Sequence, residues 1–271
     1  MEKIAILSDI HGNITALNAV LEDIKNRNIT RIFCLGDYVI KCIHPDLVID
    51  KLKEVSEVML IGNCDYTLCK PEAKDKNFWS RNIIGEERAN FLFSLPKFHE
   101  FYLSGHLIRL FHASPTSLDK IYNPAFSNKG TPYCGSEIHN IEDLFLNTKF
   151  LENEKSQKKP DIIGYGHIHT PCIIRHKNKT IFNPGSVGIP IEMLNTNTND
   201  KSNKFSTVAS YIILEGDYGN QELSPISFNL VRIPYNINKE IEDIKKSDMP
   251  NKNIIIRSLH SAIPNIYNLK Y

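Results

Sequence analysis

With 41% hydrophobic and 23% charged residues among its 271, the chain has the composition of a globular protein with a sizeable core. Its 32 Lys and Arg nearly balance 31 Asp and Glu, which leaves no overall field to draw a nucleic-acid polymer or an anionic membrane. No stretch approaches the roughly 20 apolar residues of a membrane-spanning helix, and the run Ile4 to Leu7 is too short for a signal-peptide core.

A cytoplasmic location is therefore expected, with reduced thiols. The six cysteines fit it: positions 34, 42, 64, 69, 134 and 172 form no CxxC pair and no zinc-finger spacing.

In chain order, short apolar runs alternate with amphipathic patterns, the signature of an α/β fold. A strand is expected at 3–7. A helix follows at 13–27, where Ile14, Leu17, Leu21 and Ile24 recur at three- and four-residue steps, with Asn13 or Thr15 near its start. Then come a strand at 31–35, a helix opened by Pro45 in its first turn, a strand at 55–61 and a helix at 82–94.

Residues 98–103 and 106–111 flank Ser104-Gly105 as a hairpin with a two-residue turn. Residues 113–135 carry three prolines and two glycines and read as a long loop, a kind that is usually functional or disordered. A helix is expected at 138–150, then a Lys-rich stretch to 159, and strands at 162–163, 172–175 and 180–182. A polar surface loop covers 195–204, and strands at 210–214 and 226–233 precede a helix at 239–246. No repeat or linker divides the sequence. Residues 1–271 are expected to form a single domain, with a C-terminal strand-helix extension from about 236.

Five polar clusters each follow an apolar run: Asp9-Ile10-His11, Gly36-Asp37, Gly62-Asn63-Cys64-Asp65, His112 and Gly166-His167-Ile168-His169. Ligands in open α/β sheets gather beyond the carboxyl ends of strands. If the first three runs are neighbouring strands, Asp9, His11, Asp37 and Asn63 arrive at one rim. Imidazole, carboxylate and amide oxygen suit divalent manganese, iron, cobalt, nickel or zinc. Asp37 has two oxygens and could bridge two ions. Each cluster alone is a weak signal, whereas five in this order at strand ends are specific.

The series DxH, GD, GN followed by Cys64-Asp65, H and GHxH resembles the signature of the calcineurin-like metallophosphoesterase family. The segment Asn183-Pro184-Gly185-Ser186-Val187-Gly188 is similar to its YfcE-like bacterial and archaeal phosphodiesterase branch. The resemblance runs to about residue 235. It implies an α/β (α+β) fold, a four-layer sandwich of two mixed β-sheets flanked by helices. It also implies two divalent metal ions, manganese foremost. One would take Asp9, His11, Asp37 and His169, and the other Asp37, Asn63, His112 and His167. A hydroxide bridging them would attack the phosphorus of a small or nucleotide-like phosphodiester. Asn63, Cys64, Asp65 and His112 would complete the catalytic set.

The sequence departs from that pattern at Cys64, where the family usually has a histidine that helps protonate the leaving oxygen. A thiol is a poorer acid partner than imidazole, which tilts the reading towards diesters and leaves open that Cys64 merely fills space. The loop 39–45 replaces a Gly-rich segment. Lys41 or His44 could there reach a phosphate or supply the acid, or His44 could cap the following helix. Tyr122, Phe126 and Tyr133 either stack on a substrate ring or pack their own loop down. The remaining histidines (99, 106, 139, 176, 260) sit in no ligand-like pattern. Two other functions stay in view: a phosphomonoesterase or phosphoprotein phosphatase on the same metals, and a catalytically silent binding protein of this fold, as in the small subunit of retromer. Oligomerisation is left open.

Overall fold

The computed structural model describes residues 1–70, 78–120, 122, 124, 138, 140–150, 158–192 and 204–262. The opening strand β1 (Glu2–Leu7) pairs in parallel with β2 (Arg31–Cys34), and β2 with the two-residue β3 (Val58–Met59). On its other side β1 pairs antiparallel with β11 (Val208–Gly216), and β11 with β12 (Ser227–Pro234). This first sheet has the order β12-β11-β1-β2-β3.

The second sheet starts with the hairpin β4 (Phe98–Leu103) and β5 (His106–Phe111). Its turn residues Ser104 and Gly105 both have positive φ, 51° and 81°, as a twisted two-residue hairpin demands. With β6 (Ile162–Tyr165), β7 (Cys172–His176) and β8 (Lys179–Asn183) the order is β4-β5-β6-β8-β7. β5, β6 and β8 run in parallel.

The two mixed five-stranded sheets pack face to face and are flanked by helices, as the resemblance implied. Alternation along the strands explains why. Ile4, Ile6 and Phe33 meet Leu103, Ile108, Leu110 and Phe182 of the second sheet. Ala5, Leu7 and Cys34 join the opposite cluster with Ala16, Leu17 and Val20 of α1 (Ile14–Asn26) and Val48 and Leu52 of α2 (Pro45–Val55). Both faces of β1 are thus covered, so Ile4 to Leu7 read as an unbroken apolar run. Each buried valine, leucine, isoleucine or phenylalanine among them contributes about 1.5–3 kcal/mol.

Asn13 caps α1 by accepting from Ala16 N at 2.9 Å. Pro45 sits in the first turn of α2. His44 holds the N-cap position there, but its side chain makes no capping bond.

Several expectations need correction. The strand expected at 55–61 is two residues long, and the chain turns at once into a short helix, α3 (Asn63–Cys69). The helix expected at 82–94 starts earlier, as α4 (Phe78–Ser94), and kinks at Gly85, whose φ is 70°. The helix expected at 138–150 is a 3-10 turn over Ile141–Phe145. A small ribbon of β9 (Ile191–Glu192) and β10 (Lys204–Phe205) was not anticipated, and nor was α6 (Lys252–Ala262) after α5 (Ile237–Lys246). Tyr122 is buried with Leu144 and Phe145 against the outer face of the second sheet, so it packs its own loop. Phe126, Tyr133, Cys134, His139 and most of the 195–204 loop lie outside the described residues. Among the described residues, no helix is long and apolar enough to cross a membrane, and the cysteines at 34, 42, 64, 69 and 172 are free.

Candidate metal centre

The parallel registers set the site. Leu7 lies beside Cys34, and Cys34 beside Met59, so the chain leaves β1, β2 and β3 at one edge with Asp9, His11, Asp37 and Asn63. In the second sheet Phe111 lies beside Tyr165, which brings His112 and the 166–169 turn to the same edge.

The turns that carry these groups are unusual. Asp9, His11, Asp37, His167 and His169 all have φ between 50° and 67°, a left-handed region that costs a residue with a Cβ about 1 kcal/mol or more. The reversal lets backbone groups pair across the rim: Asp9 N donates to Gly36 O at 3.0 Å, His11 N to Asp37 O at 2.9 Å and Gly166 N to His112 O at 2.8 Å. Glycine is needed where backbone meets carboxylate. A Cβ on Gly62 would fall 2.1 Å from Asp37 Oδ1, and one on Gly166 2.8 Å from Asp9 Oδ2.

Among the described residues, three side-chain groups could each hold a cation: Asp9, His11 and His169; His11, Asp37 and Cys64; and Asp37, His112 and His167. Within each, the ligand atoms lie within 4.8 Å of one another. Asp37 spans the set, with Oδ2 3.6 Å from His11 Nε2 and Oδ1 3.5 Å from His112 Nε2. Asn63 Oδ1 stands 2.9 Å from both His112 Nε2 and His167 Nδ1.

The proton positions test whether a cation fits. His11 Nδ1 faces Val39 O at 3.0 Å, His169 Nδ1 faces Ile189 O at 2.7 Å and His112 Nδ1 faces Leu35 O at 2.9 Å. A carbonyl only accepts, so each Nδ1 carries the hydrogen, and a ring that stays neutral turns a bare Nε2 lone pair inward. His11 and His169 then point acceptor at acceptor, Nε2 to Nε2, at 3.1 Å. Buried Asp9 Oδ1 makes no hydrogen bond, although His169 Nε2 is 3.3 Å away. Converging lone pairs, which here also draw the Lys41 ammonium to 2.9 Å from His11 Nε2, are the donor set of a metal site, and carbonyls behind the imidazoles are its usual support.

The electrostatics agree. Burial opposes ionisation of Asp9 and Asp37, yet surrounding imidazoles hold both carboxyls below the usual range: His169, His112 and His11 for Asp9, and His112 and His11 for Asp37. Burial, then Lys41, pushes His11 well down, and burial with His112 brings His167 down to about 4. His112 moves up: burial opposes this, but Asp37 and Asp9 outweigh it. The carboxylates are charged, two imidazoles are ready as neutral ligands, and a third draws a proton, so the cluster calls for positive charge.

Two expected catalytic groups are placed differently from the rest. Asp65 turns away from the nitrogens and accepts from Asp37 N at 2.8 Å, Tyr38 N at 2.9 Å and Gly62 N at 2.9 Å. It holds the turns that present Asp37 and Asn63. Burial and neighbouring Asp37 push its carboxyl up to about 7, against the pull of those amides. Cys64 does face the centre. Burial, then Asp37, raises its thiol well above the ordinary range, so it stays protonated. Its backbone N donates to Asp37 Oδ1 at 2.9 Å.

A supporting layer escaped the sequence reading. Ser186 Oγ donates to Asp9 O at 2.6 Å, Asn183 Nδ2 to Gly166 O at 2.7 Å and Asn13 Nδ2 to Gly188 O at 2.9 Å. Ser8 Oγ donates to Asp9 Oδ2 at 2.6 Å. The 183–188 segment, noticed only for its resemblance, stitches the two sheets together beneath the ligands.

Comparison with known proteins agrees with this geometry. Residues 2–215 match the calcineurin-like phosphoesterase superfamily domain. The chain belongs to that family. An uncharacterized protein of Methanocaldococcus jannaschii is 31% identical over 257 residues, covering 91% of this chain and 93% of that protein. Among solved structures, a metallophosphoesterase from Sphaerobacter thermophilus superposes with a TM-score of 0.64 at 22% identity, covering 97% of this chain and 99% of the other. A hypothetical protein from Pyrococcus horikoshii gives a TM-score of 0.64 at 18% identity, covering 96% and 98%. These two share the fold of this calcineurin-like phosphoesterase.

Proposed function

We propose that this family member is a metal-dependent phosphodiesterase acting on a small or nucleotide-like diester in the cytoplasm, and that the chain works as one domain. Two divalent cations, manganese foremost, would be held by the clustered side chains. Asp9, His11, Asp37 and His169 would hold one, and Asp37, Asn63, His112 and His167 the other. The observation that carries this reading is the facing pair of Nε2 acceptors on His11 and His169, 3.1 Å apart, with both Nδ1 hydrogens committed to carbonyls.

Bound there, the cations would supply a water-derived nucleophile at neutral pH and positive charge against the phosphoryl oxygens. The chain's own groups do the rest. The carbonyls of Leu35, Val39 and Ile189 fix the tautomers of His112, His11 and His169. Asp65 fixes the Asp37 and Asn63 turns through backbone amides. Cys64, with its thiol proton retained, is a neutral donor beside Asp37. The absence of an imidazole at that position removes the usual acid for the leaving oxygen, and this departure is what tilts the reading towards diesters.

Elemental analysis of protein purified without added metal, followed by an aryl phosphodiester and its matching monoester on manganese-loaded protein, tests this. About two cations per chain and faster diester hydrolysis are expected. Fewer than one cation per chain, even after loading, refutes the dinuclear centre, and a strong monoester preference refutes the diester assignment.

A further inference from the structure

Loop 39–44 crosses directly over His11, and its conformation is costly. Ile40 and Lys41 lie consecutively at φ 65° and 78°, where a β-branched residue such as isoleucine is a genuine outlier. Such strain persists only where the surroundings over-determine it. Here they do. Val39 and Cys42, on either side, are fully buried. Val39 O takes the Nδ1 hydrogen of His11. Cys42 N donates to His11 O at 2.8 Å, and His44 N to Gly12 O at 3.1 Å. A Cβ on Gly12 would meet Cys42 O at 2.8 Å. Cys42 and Ile43 also pack with Ile237, Ile241 and Ile244 of α5, which lies beyond the 2–215 family match.

The pinned reversal aims one side chain back at the centre. Half-buried Lys41 places Nζ 2.9 Å from His11 Nε2 and 3.4 Å from His169 Nε2. The charge count then decides what a lysine there is for. The ligand set brings two negative charges, from Asp9 and Asp37, and two dications would bring four positive ones. A further ammonium in this centre is repelled until an anion joins it, because like charges a few Å apart in a partly buried site interact by several kcal/mol. An oxyanion reverses the sign. The flexible four-carbon stem lets the ammonium leave the imidazoles with no backbone movement. The donor next to Asn63 is meanwhile a thiol in place of an imidazole, so a positive donor on this side has work to do.

We propose that Lys41 is the oxyanion-binding residue of the centre, its ammonium pairing with a non-bridging oxygen of the bound phosphoryl group. This rests on the phosphoesterase reading above. Selectivity for anionic phosphoryl substrates thus comes partly from a strained loop braced by the C-terminal helices.

Calorimetric titration of inorganic phosphate into manganese-loaded wild type, Lys41→Met and Lys41→Arg, with metal content measured on each sample, tests it. Lys41→Met should keep its metal while its phosphate dissociation constant rises on the order of tenfold, as expected for losing one charge-assisted hydrogen bond. Lys41→Arg should stay within a few-fold of wild type, and the diester KM of Lys41→Met should rise more than kcat falls. Unchanged phosphate affinity in metal-replete Lys41→Met overturns the proposal and leaves the phosphoesterase reading standing. Loss of metal from Lys41→Met makes the lysine a prop for His11 and also overturns it. A wild type that takes up no metal removes the centre itself, and both readings with it.

Discussion

The rim where the two sheets meet and the seam between α1 and α5 both bury carboxylates, on opposite terms. At the rim, Asp9 and Asp37 sit among four imidazoles and accept from the amides of His167 and Cys64, and their carboxyls are held below the usual range despite burial. At the seam, Glu240 is fully buried with the neutral Thr15 hydroxyl and Cys42 thiol beside it, and neither of its oxygens has a well-aligned hydrogen bond. Burial pushes its carboxyl up to about 7. An acid among imidazoles and backbone amides stays charged, whereas one left with weak neutral partners gives up its charge. The rim therefore stores negative charge for a cation, while the seam only tolerates an acid. Substitutions at the rim should strike function, and those at the seam stability and its pH dependence.

The largest expected effect is at the residue that spans the rim. Asp37→Ala removes the oxygens that face both His11 and His112. Turnover in manganese-loaded protein should drop on the order of 10³-fold or more. The melting temperature should stay close to wild type, since the removed group is a buried charge. Elemental analysis should show the metal content of the variant falling with its activity. Substantial turnover in metal-loaded Asp37→Ala would mean that the rim's charge serves something other than metal.

A smaller effect is expected one layer back. Ser186 Oγ donates to Asp9 O and accepts from Ile189 N at 2.9 Å, so it ties the turn that carries Asp9 to the bend whose Ile189 carbonyl orients His169. Ser186→Ala should weaken metal binding about 10- to 100-fold, the range for groups that orient ligands, and kcat at saturating metal should recover most of its value. A loss of kcat that added metal does not restore would place Ser186 in the chemistry and break the distinction between ligands and their supports.

The difference between rim and seam also explains what the sequence reveals. The rim was legible because polar residues after apolar runs stand out at short range: DxH, GD and GHxH each follow a strand whose buried residues announce it. The hairpin at Ser104-Gly105 and the cap at Asn13 were legible for the same local reason. α3 was not. Its seven residues, from Asn63 to Cys69, have no apolar period, and it forms because Asp65 gathers four backbone amides. The turn of Asp65 away from the nitrogens is equally invisible in a row of letters. The aim of Lys41 depends on two left-handed residues and on α5, some two hundred positions away. Glu240 sits on an ordinary amphipathic helix at a position that could as well have faced water.

The seam supplies the subtlest test. A carboxyl whose folded pKa stands at about 7, above its ordinary value of 4.5, binds protons more tightly in the folded chain than in the unfolded one. Its burial is therefore tolerated below about pH 4.5, and stability is lost as the pH rises through about 7. The gap corresponds to about 3 kcal/mol at most. Glutamine has nearly the same shape and no such dependence. Glu240→Gln should match the wild type at pH 4.5 and melt about 5 °C higher at pH 8, with diesterase activity unchanged. Thermal melts across pH 4.5–8 read this directly. A gain of equal size at every pH would show that Glu240 keeps its charge when buried, and that the seam holds a partner for it after all.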